Sequence, residues 1–144
     1  MEIKIRKMKQ QDLEEICRLN KNELHSDYDL VKEKESWDKI KEDKNSIIYV
    51  AVDCETVVGY IHAGIYQTLC FAPMASILTL AVSADYQKNG IGKLLLEAVE
   101  TWAKTNSCVG IRVLSNESRE VAHYFYQTCG YRKTRKQINF KKYF

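Results

Sequence analysis

Residues 76–93 read Ser76-Ile77-Leu78-Thr79-Leu80-Ala81-Val82-Ser83-Ala84-Asp85-Tyr86-Gln87-Lys88-Asn89-Gly90-Ile91-Gly92-Lys93, and their succession of strand, turn and helix start decides the fold. The nearly all-apolar run from Ser76 to Val82 predicts a strand covered on both faces, hence interior to its sheet. A turn spans Ser83 to Asn89. Beyond it Ile91, Leu94, Leu95, Ala98, Val99 and Trp102 recur on one helical face, and the helix ends near Lys104 to Asn106. A helix start exposes about four unpaired backbone N–H groups and a partial positive charge, so it suits a phosphate. Gly90 and Gly92 let a ligand approach that backbone, and Lys88 and Lys93 add charge. Two glycines at a turn also serve unusual backbone angles and tight helix packing with no ligand at all. A Walker loop fails here, because Leu94 follows Gly92-Lys93 and no glycine stands five positions before Gly92. A Rossmann fingerprint lacks its third glycine, since position 95 is Leu95.

Working outward, Ile3 to Arg6 alternates as an edge or second strand, and Leu13, Ile16, Leu19 and Leu24 then recur at helical spacing. Asp12, Glu14 and Glu15 lie near that helix's start, where negative charge suits the macrodipole. The highly charged stretch 22–45 holds Val31, Trp37 and Ile40 as inward anchors of a second, shorter helix. Ser46 to Val52 and Val57 to Tyr66, joined by a turn around Asp53 to Thr56, form a hairpin. Gln67 to Ala75, with the only proline, Pro73, is a loop. After the central strand and helix, Val109 to Leu114 returns as a strand, parallel to the first through a right-handed crossover. Val121, Ala122, Phe125 and Tyr126 mark a further helix stopped by Gly130. A basic strand pair, near Tyr131 to Thr134 and Gln137 to Lys142, is expected to close the chain. The order β-α-α-β-β-β-α-β-α-β-β predicts an α/β (mixed α+β) fold, a mixed sheet with helices on both faces.

The 144 residues suit one domain, 1–144, with one continuous core. A hydrophobic share of 45% and a charged share of 28% exclude both disorder and a membrane bias. Five cysteines, Cys17, Cys54, Cys70, Cys108 and Cys129, form no C-x-x-C pair and read as reduced, mostly packed thiols. The first residues lack the apolar core of a signal peptide and no run is long enough to span a membrane, so a cytoplasmic protein is expected. The net charge of +3 conceals a basic end, where Arg132, Lys133, Arg135, Lys136, Lys141 and Lys142 follow the last acidic residue, Glu120. Such a tail suits a phosphorylated cofactor, nucleic acid or plain solvent.

The stretch Ile77 to Lys104 resembles the acetyl-CoA signature of the GNAT superfamily, an apolar strand followed by [RQ]-x-x-G-x-[GA] and a helix, with Gln87, Gly90 and Gly92 in the three signature positions. A second motif, A-x-x-x-Y-x-x-x-G-[FY], follows in order as Ala122, Tyr126, Gly130 and Tyr131. The resemblance implies a GNAT-like fold, a mixed, mostly antiparallel sheet, and transfer of an acetyl group from acetyl-CoA to a primary amine by direct attack. It implies that the backbone of Gln87, Lys88, Asn89, Gly90, Ile91, Gly92 and Lys93 holds the CoA pyrophosphate. Leu80, Ala81 and Val82 pair with pantetheine where the parallel strands splay, and an amide near Leu80 or Ala81 polarises the thioester carbonyl. No metal is implied. Tyr126, on the helical face of Ala122, is either a core aromatic or the acid that protonates departing CoA, and its motif position favours the acid.

Two features depart from the family pattern. Arg119 stands where many members have a pantetheine-contacting Asn, and Asn116 either substitutes for it or caps the helix. No carboxylate occurs among Ile77, Leu78, Thr79 and Leu80, so the general base falls to His62, Glu23, His25 or water. His62 otherwise reads as a satisfied packing residue, and His123 as a surface one. Glu23, Asp27, Asp29, Glu33 and Glu35, interspersed with Lys21, Lys32 and Lys34, read as a solvated surface. The acceptor is expected to be a small-molecule amine before a protein amine, with no membrane and no nucleic-acid partner; a homodimer is left open. The alternative reading is a non-catalytic acyl-CoA-binding or sensory domain.

Overall fold

In the computed structural model, which describes residues 1–144, the elements follow the expected order as far as residue 128. Strand β1 (Ile3–Lys7) leads to helices α1 (Leu13–Leu24) and α2 (Leu30–Ile40). Strands β2 (Ser46–Asp53), β3 (Thr56–Tyr66) and β4 (Met74–Val82), helix α3 (Ile91–Thr105), strand β5 (Ile111–Val113) and helix α4 (Glu120–Thr128) complete the set. The sheet runs β1-β2-β3-β4-β5, antiparallel throughout except for the parallel pair β4 and β5. This is the mixed, mostly antiparallel α+β sheet expected, with β1 at an edge and β4 inside. Residues Met1–Val113 and Leu114–Phe144 form two compact units. The β2–β3 turn places Cys54 (φ 48°) and Glu55 (φ 70°) in the left-handed region, as a two-residue hairpin turn requires.

Alternation along the strands sends side chains to both faces of the sheet. On one face Val50, Val52, Tyr60 and Ala81 pack with Leu13, Ile16 and Leu19 of α1. On the other, α3 lies across β2, β3 and β4 and buries Ile91, Leu95, Leu96 and Val99. At about 1.5–3 kcal/mol for each fully buried aliphatic side chain, that stripe outweighs any single helix propensity and fixes the rotation of α3. Gly59 on β3 permits the close approach beneath the start of α3: a Cβ there meets the Ala81 carbonyl oxygen at 3.0 Å and Ile91 Cγ2 at 3.5 Å.

The entry to α1 is held by a charge pair. Asp12, only 3% exposed, accepts from both Arg6 guanidinium nitrogens, at 2.8 and 2.9 Å, and from Lys9 N–H at 2.8 Å. Burial opposes ionisation of Asp12, but these donors outweigh it and hold the carboxyl below its ordinary value. Asp12→Ala is expected to lower unfolding free energy by about 2–3 kcal/mol, since charged hydrogen bonds are lost and Arg6 is left without its partner. Urea unfolding measures it. The stability from Asp12 is present above pH 4 or so and is lost as pH falls through its lowered folded value.

Three expectations are corrected. The closing strand pair is not formed: residues 131–144 contain no helix or strand, and Ile138, Phe140 and Phe144 are exposed. A two-stranded ribbon needs an apolar face to bury, and these side chains bury none. On α2, Val31 is 69% exposed while Glu33 is 8% exposed, so the inward face runs Glu33, Trp37, Ile40, at spacings of four and three residues. All five cysteines are free, as expected, but only Cys17 is buried; Cys54 and Cys70 are exposed.

Candidate functional site

Strand β4 is longer than its parallel neighbour. Pairing with β5 covers Ala75↔Ile111, Ser76↔Arg112 and Ile77↔Val113, and stops there. On its other edge β4 pairs with β3 as far as Val82, so from Leu78 to Val82 the edge turned toward β5 has no strand partner. The divergence coincides with a bulge: His62 opposes Thr79 and Ala63 opposes Ile77, which leaves Leu78 as an extra residue in β4. A bulge bends its strand and increases local twist. Leu78 is consequently 58% exposed although its strand is interior. Leu80, Ala81 and Val82, singled out in the sequence, all lie on this unpaired edge. Leu78 and Thr79 belong to it too, and were not singled out because a bulge has no residue signature in an apolar run.

The strand leads through a 3₁₀ turn, Ala84–Tyr86, into α3. Side chains hold the turn, and the amides of Tyr86 and Gln87 are engaged within it, on Ser83 O (2.8 Å) and Ala84 O (3.5 Å), so of the expected cradle the Gln87 N–H is not free. Gln87 Nε2 donates to Val82 O (3.1 Å), and Asn89 Nδ2 donates to Tyr86 O and Gln87 O (3.2 and 3.1 Å). The Tyr86 hydroxyl donates to Asp53 Oδ2 at 2.9 Å, and the Ala84 N–H donates to Glu23 Oε2 at 3.2 Å. The Tyr86 hydrogen bond lowers the Asp53 carboxyl below its usual range. Gly90 caps α3 in the left-handed region (φ 78°), and Lys88 shares that region (φ 64°). The first α3 amide to find a carbonyl is that of Leu94, on Gly90 O at 3.1 Å. The N–H groups of residues 88–93 therefore lie at the start of α3, the positive end of its dipole, without intramolecular partners.

In the unit Leu114–Phe144, Asn116 Oδ1 accepts from the N–H and hydroxyl of Ser118 (3.0 and 2.8 Å). The residue capping α4 is Arg119, so Asn116 shapes the preceding turn instead of capping the helix. His123 is only partly exposed; its Nε2 lies 2.9 Å from Asn116 O. Tyr126 is half-buried, edge-on to Phe125 (centroids 5.3 Å) and tilted against Tyr131 (6.0 Å). Burial pushes its phenol above 10. Gly130, at φ 91°, terminates the helix as expected.

The three side-chain candidates for the base lie apart in character. Glu23 is engaged by the Ala84 amide. His25 caps α1 in the left-handed conformation and is exposed. His62 is not a satisfied packing residue: its Nε2 is buried without a hydrogen-bond partner. Burial lowers the imidazole from its usual 6.5, with Asp43 opposing, and keeps it neutral at pH 7. It lines a cavity of about 180 Å³ between α1, α2, β2 and β3, together with Asn20, Glu33, Trp37 and Tyr60. The expected solvated acidic surface is thus corrected at Glu33, whose spacing from Trp37 and Ile40 was the available signal.

Residues 10–131 match the model of the acetyltransferase (GNAT) family. An aminoglycoside N(6')-acetyltransferase type 1 from Acinetobacter genomosp. 13 is 29% identical over 72 residues, 50% of this chain and 49% of that protein. The match spans about half the length of that curated relative. A transcriptional regulator from Bacillus halodurans C-125 shares the fold with a TM-score of 0.89, at 23% identity over 98% of this chain and 100% of the other. AAC(6')-Iy, solved with the bisubstrate analog CoA-S-monomethyl-acetylneamine, gives 0.87 at 20% identity over 99% of each chain. The strand with the open edge, the glycine turn and the helix bearing Tyr126 all fall inside the matched residues, and the chain belongs to the GNAT family of acetyltransferases.

Proposed function

We propose that this chain, acting over 1–144 as one acetyltransferase domain, moves an acetyl group from acetyl-CoA to a primary amine of a small molecule. The observation that carries the reading is the continuity of the unpaired β4 edge with the free amides of residues 88–93. A pyrophosphate needs several N–H donors and positive charge; amides 88–93, Lys88 and Lys93 supply both. The amide groups of pantetheine need a strand edge, and Leu80 to Val82 offer one. The residues present therefore fit CoA. When bound, acetyl-CoA supplies an activated thioester.

The chain's own groups do the rest. An N–H near Leu80 or Ala81 polarises the thioester carbonyl while the neutral amine attacks it, with the amine's excess proton passing to water or a nearby side chain. Tyr126 gives its proton to the departing sulfur. Asn116 keeps its Nδ2 free for the cofactor, since only its oxygen is engaged. The relatives named as aminoglycoside N(6')-acetyltransferases support a small-molecule amine over a protein amine. No helix is long and apolar enough to cross a membrane.

Calorimetry with acetyl-CoA, followed by CoA-release assays over polyamines, aminoglycosides, amino acids and peptides, tests the proposal. Saturable binding with release by a small amine is expected. Acetyl-CoA binding with no release across the panel instead supports a non-catalytic acyl-CoA-binding domain, and absence of binding overturns both readings.

A further inference from the structure

Most of the hydrogen bonds that hold the turn between β4 and α3 are local. The amides of Tyr86 and Gln87 donate to Ser83 O and Ala84 O, and the side chains of Gln87 and Asn89 donate to the carbonyls of Val82, Tyr86 and Gln87. Such bonds fix the shape of the turn. They do not fix where it stands against the sheet, because both ends of each lie in the same short segment. Three bonds reach further. Ser83 N–H donates to Val58 O at 2.8 Å and continues the β3–β4 pairing by one residue. Ala84 N–H donates to Glu23 Oε2 at 3.2 Å, and the Tyr86 hydroxyl donates to Asp53 Oδ2 at 2.9 Å. These last two bring in carboxylates 61 and 33 residues away in sequence.

Both carboxylates are themselves anchored. Glu23 lies in the last turn of α1, whose Leu13, Ile16 and Leu19 are buried with Val50, Tyr60 and Ala81 of the sheet. Asp53 ends β2 beside the tight turn at Cys54 and Glu55, and its other oxygen accepts from the Glu2 N–H at 3.3 Å. Helix α1 uses a second carboxylate in the same manner, since Glu15 Oε2 accepts from the Val57 N–H at 2.8 Å. A carboxylate beside an anion-binding turn repels the anion. What Glu23 and Asp53 contribute to this turn is therefore an acceptor oxygen, not a charge.

We infer that Glu23 and Asp53 are positioning residues: through the Ala84 N–H and the Tyr86 hydroxyl they keep the turn that carries the amides of residues 88–93 fixed relative to the open edge of β4. A CoA molecule spans both, its pyrophosphate on the turn and its pantetheine on the strand edge. The inference rests on the acetyl-transfer reading for the identity of that ligand. It also removes Glu23 from the candidates for the general base, since its carboxylate answers a backbone amide of the turn and acts on CoA through it.

Calorimetry with CoA on the full chain tests the inference. Glu23→Ala and Tyr86→Phe each delete one partner of a long-range bond, and each is expected to weaken CoA about five- to tenfold. Glu23→Gln keeps an acceptor oxygen and drops the charge, so its CoA affinity is expected at or slightly above that of the wild type. Pantetheine, which has no pyrophosphate, is titrated against the ¹⁵N-labelled chain and read from the amide signals of Leu80 to Val82. Its affinity is expected to stay within about twofold in all three variants, since it meets the strand edge alone. Wild-type CoA affinity in both Glu23→Ala and Tyr86→Phe overturns the proposal. So does a Glu23→Gln protein weakened as much as Glu23→Ala, or pantetheine lost in step with CoA, which is the mark of general damage to the fold. Should Glu23→Gln keep CoA affinity yet lose single-turnover transfer by roughly 10²-fold or more, Glu23 is the base and the assignment falls, because a neutral amide takes no proton. Absence of CoA binding by the wild-type chain is instead the failure of the acetyl-transfer reading itself, so the two failures are told apart.

Discussion

Single-turnover acetyl transfer is expected to fall by roughly 10²- to 10⁴-fold in Tyr126→Phe, the usual span for loss of a general acid, while acetyl-CoA affinity stays near its original value. The substitution keeps the ring that packs edge-on to Phe125 and against Tyr131 and deletes only the hydroxyl. Stability should change by no more than the roughly 0.5–1.5 kcal/mol of one hydrogen bond. Because burial raises the Tyr126 phenol above its ordinary value of 10, it keeps its proton throughout the neutral range. Its contribution is therefore present at neutral pH and lost only as pH rises through that raised value. An alkaline loss of activity centred below pH 10 belongs to another group. Chemistry must be measured in a single turnover, since slow product release masks part of the effect. Tyr124→Phe is the control: Tyr124 is 71% exposed and about 160° away around the helix, so its substitution should be nearly silent. Full single-turnover activity in Tyr126→Phe, with the true acceptor, makes Tyr126 a packing residue.

The second large effect concerns the turn. Saturating CoA, at about a hundred times its dissociation constant, is expected to stabilise the wild-type protein by about 2.7 kcal/mol, a rise in Tm of about 5–10 °C. In Gly92→Val that rise should vanish. Gly92 sits in the first turn of α3, among the amides that have no partner of their own, and a branched side chain there occupies the approach to them. The apo protein should not suffer, because valine is a slightly better helix former than glycine. Loss of the ligand shift with an unchanged apo Tm thus isolates the binding site from the fold. A folded Gly92→Val protein with wild-type CoA affinity by calorimetry rejects the phosphate site at residues 88–93.

Much of this arrangement is legible in the amino-acid sequence. The apolar run at residues 76–82, the glycines at positions 90 and 92 and the stripe from Ile91 to Trp102 specify a strand, a turn and a helix through contacts only a few residues apart. Local chemistry of this kind acts the same way in any context, so these elements appear as β4 and α3 within one or two residues of their expected ends. Gly130 stops α4 for the same reason: only its own backbone angle is at issue.

The burial of Glu33 and the opening of the β4 edge depend instead on residues far apart in the chain. Charge at Glu33 reads as solvent-exposed, yet α2 packs so that Asn20, thirteen residues earlier, hydrogen-bonds it, and Tyr60 of β3 binds that same Asn20. The closing strands failed because a pattern of alternation forms a ribbon only if tertiary packing buries one of its faces. Within residues 76–93, the sequence by itself determined that a strand runs into a glycine turn and a helix, because propensity and periodicity are local. Only the tertiary structure decided where β4 leaves β5, since the bulge at Leu78 and the last pair, Ile77↔Val113, are set by the registers of two neighbouring strands at once.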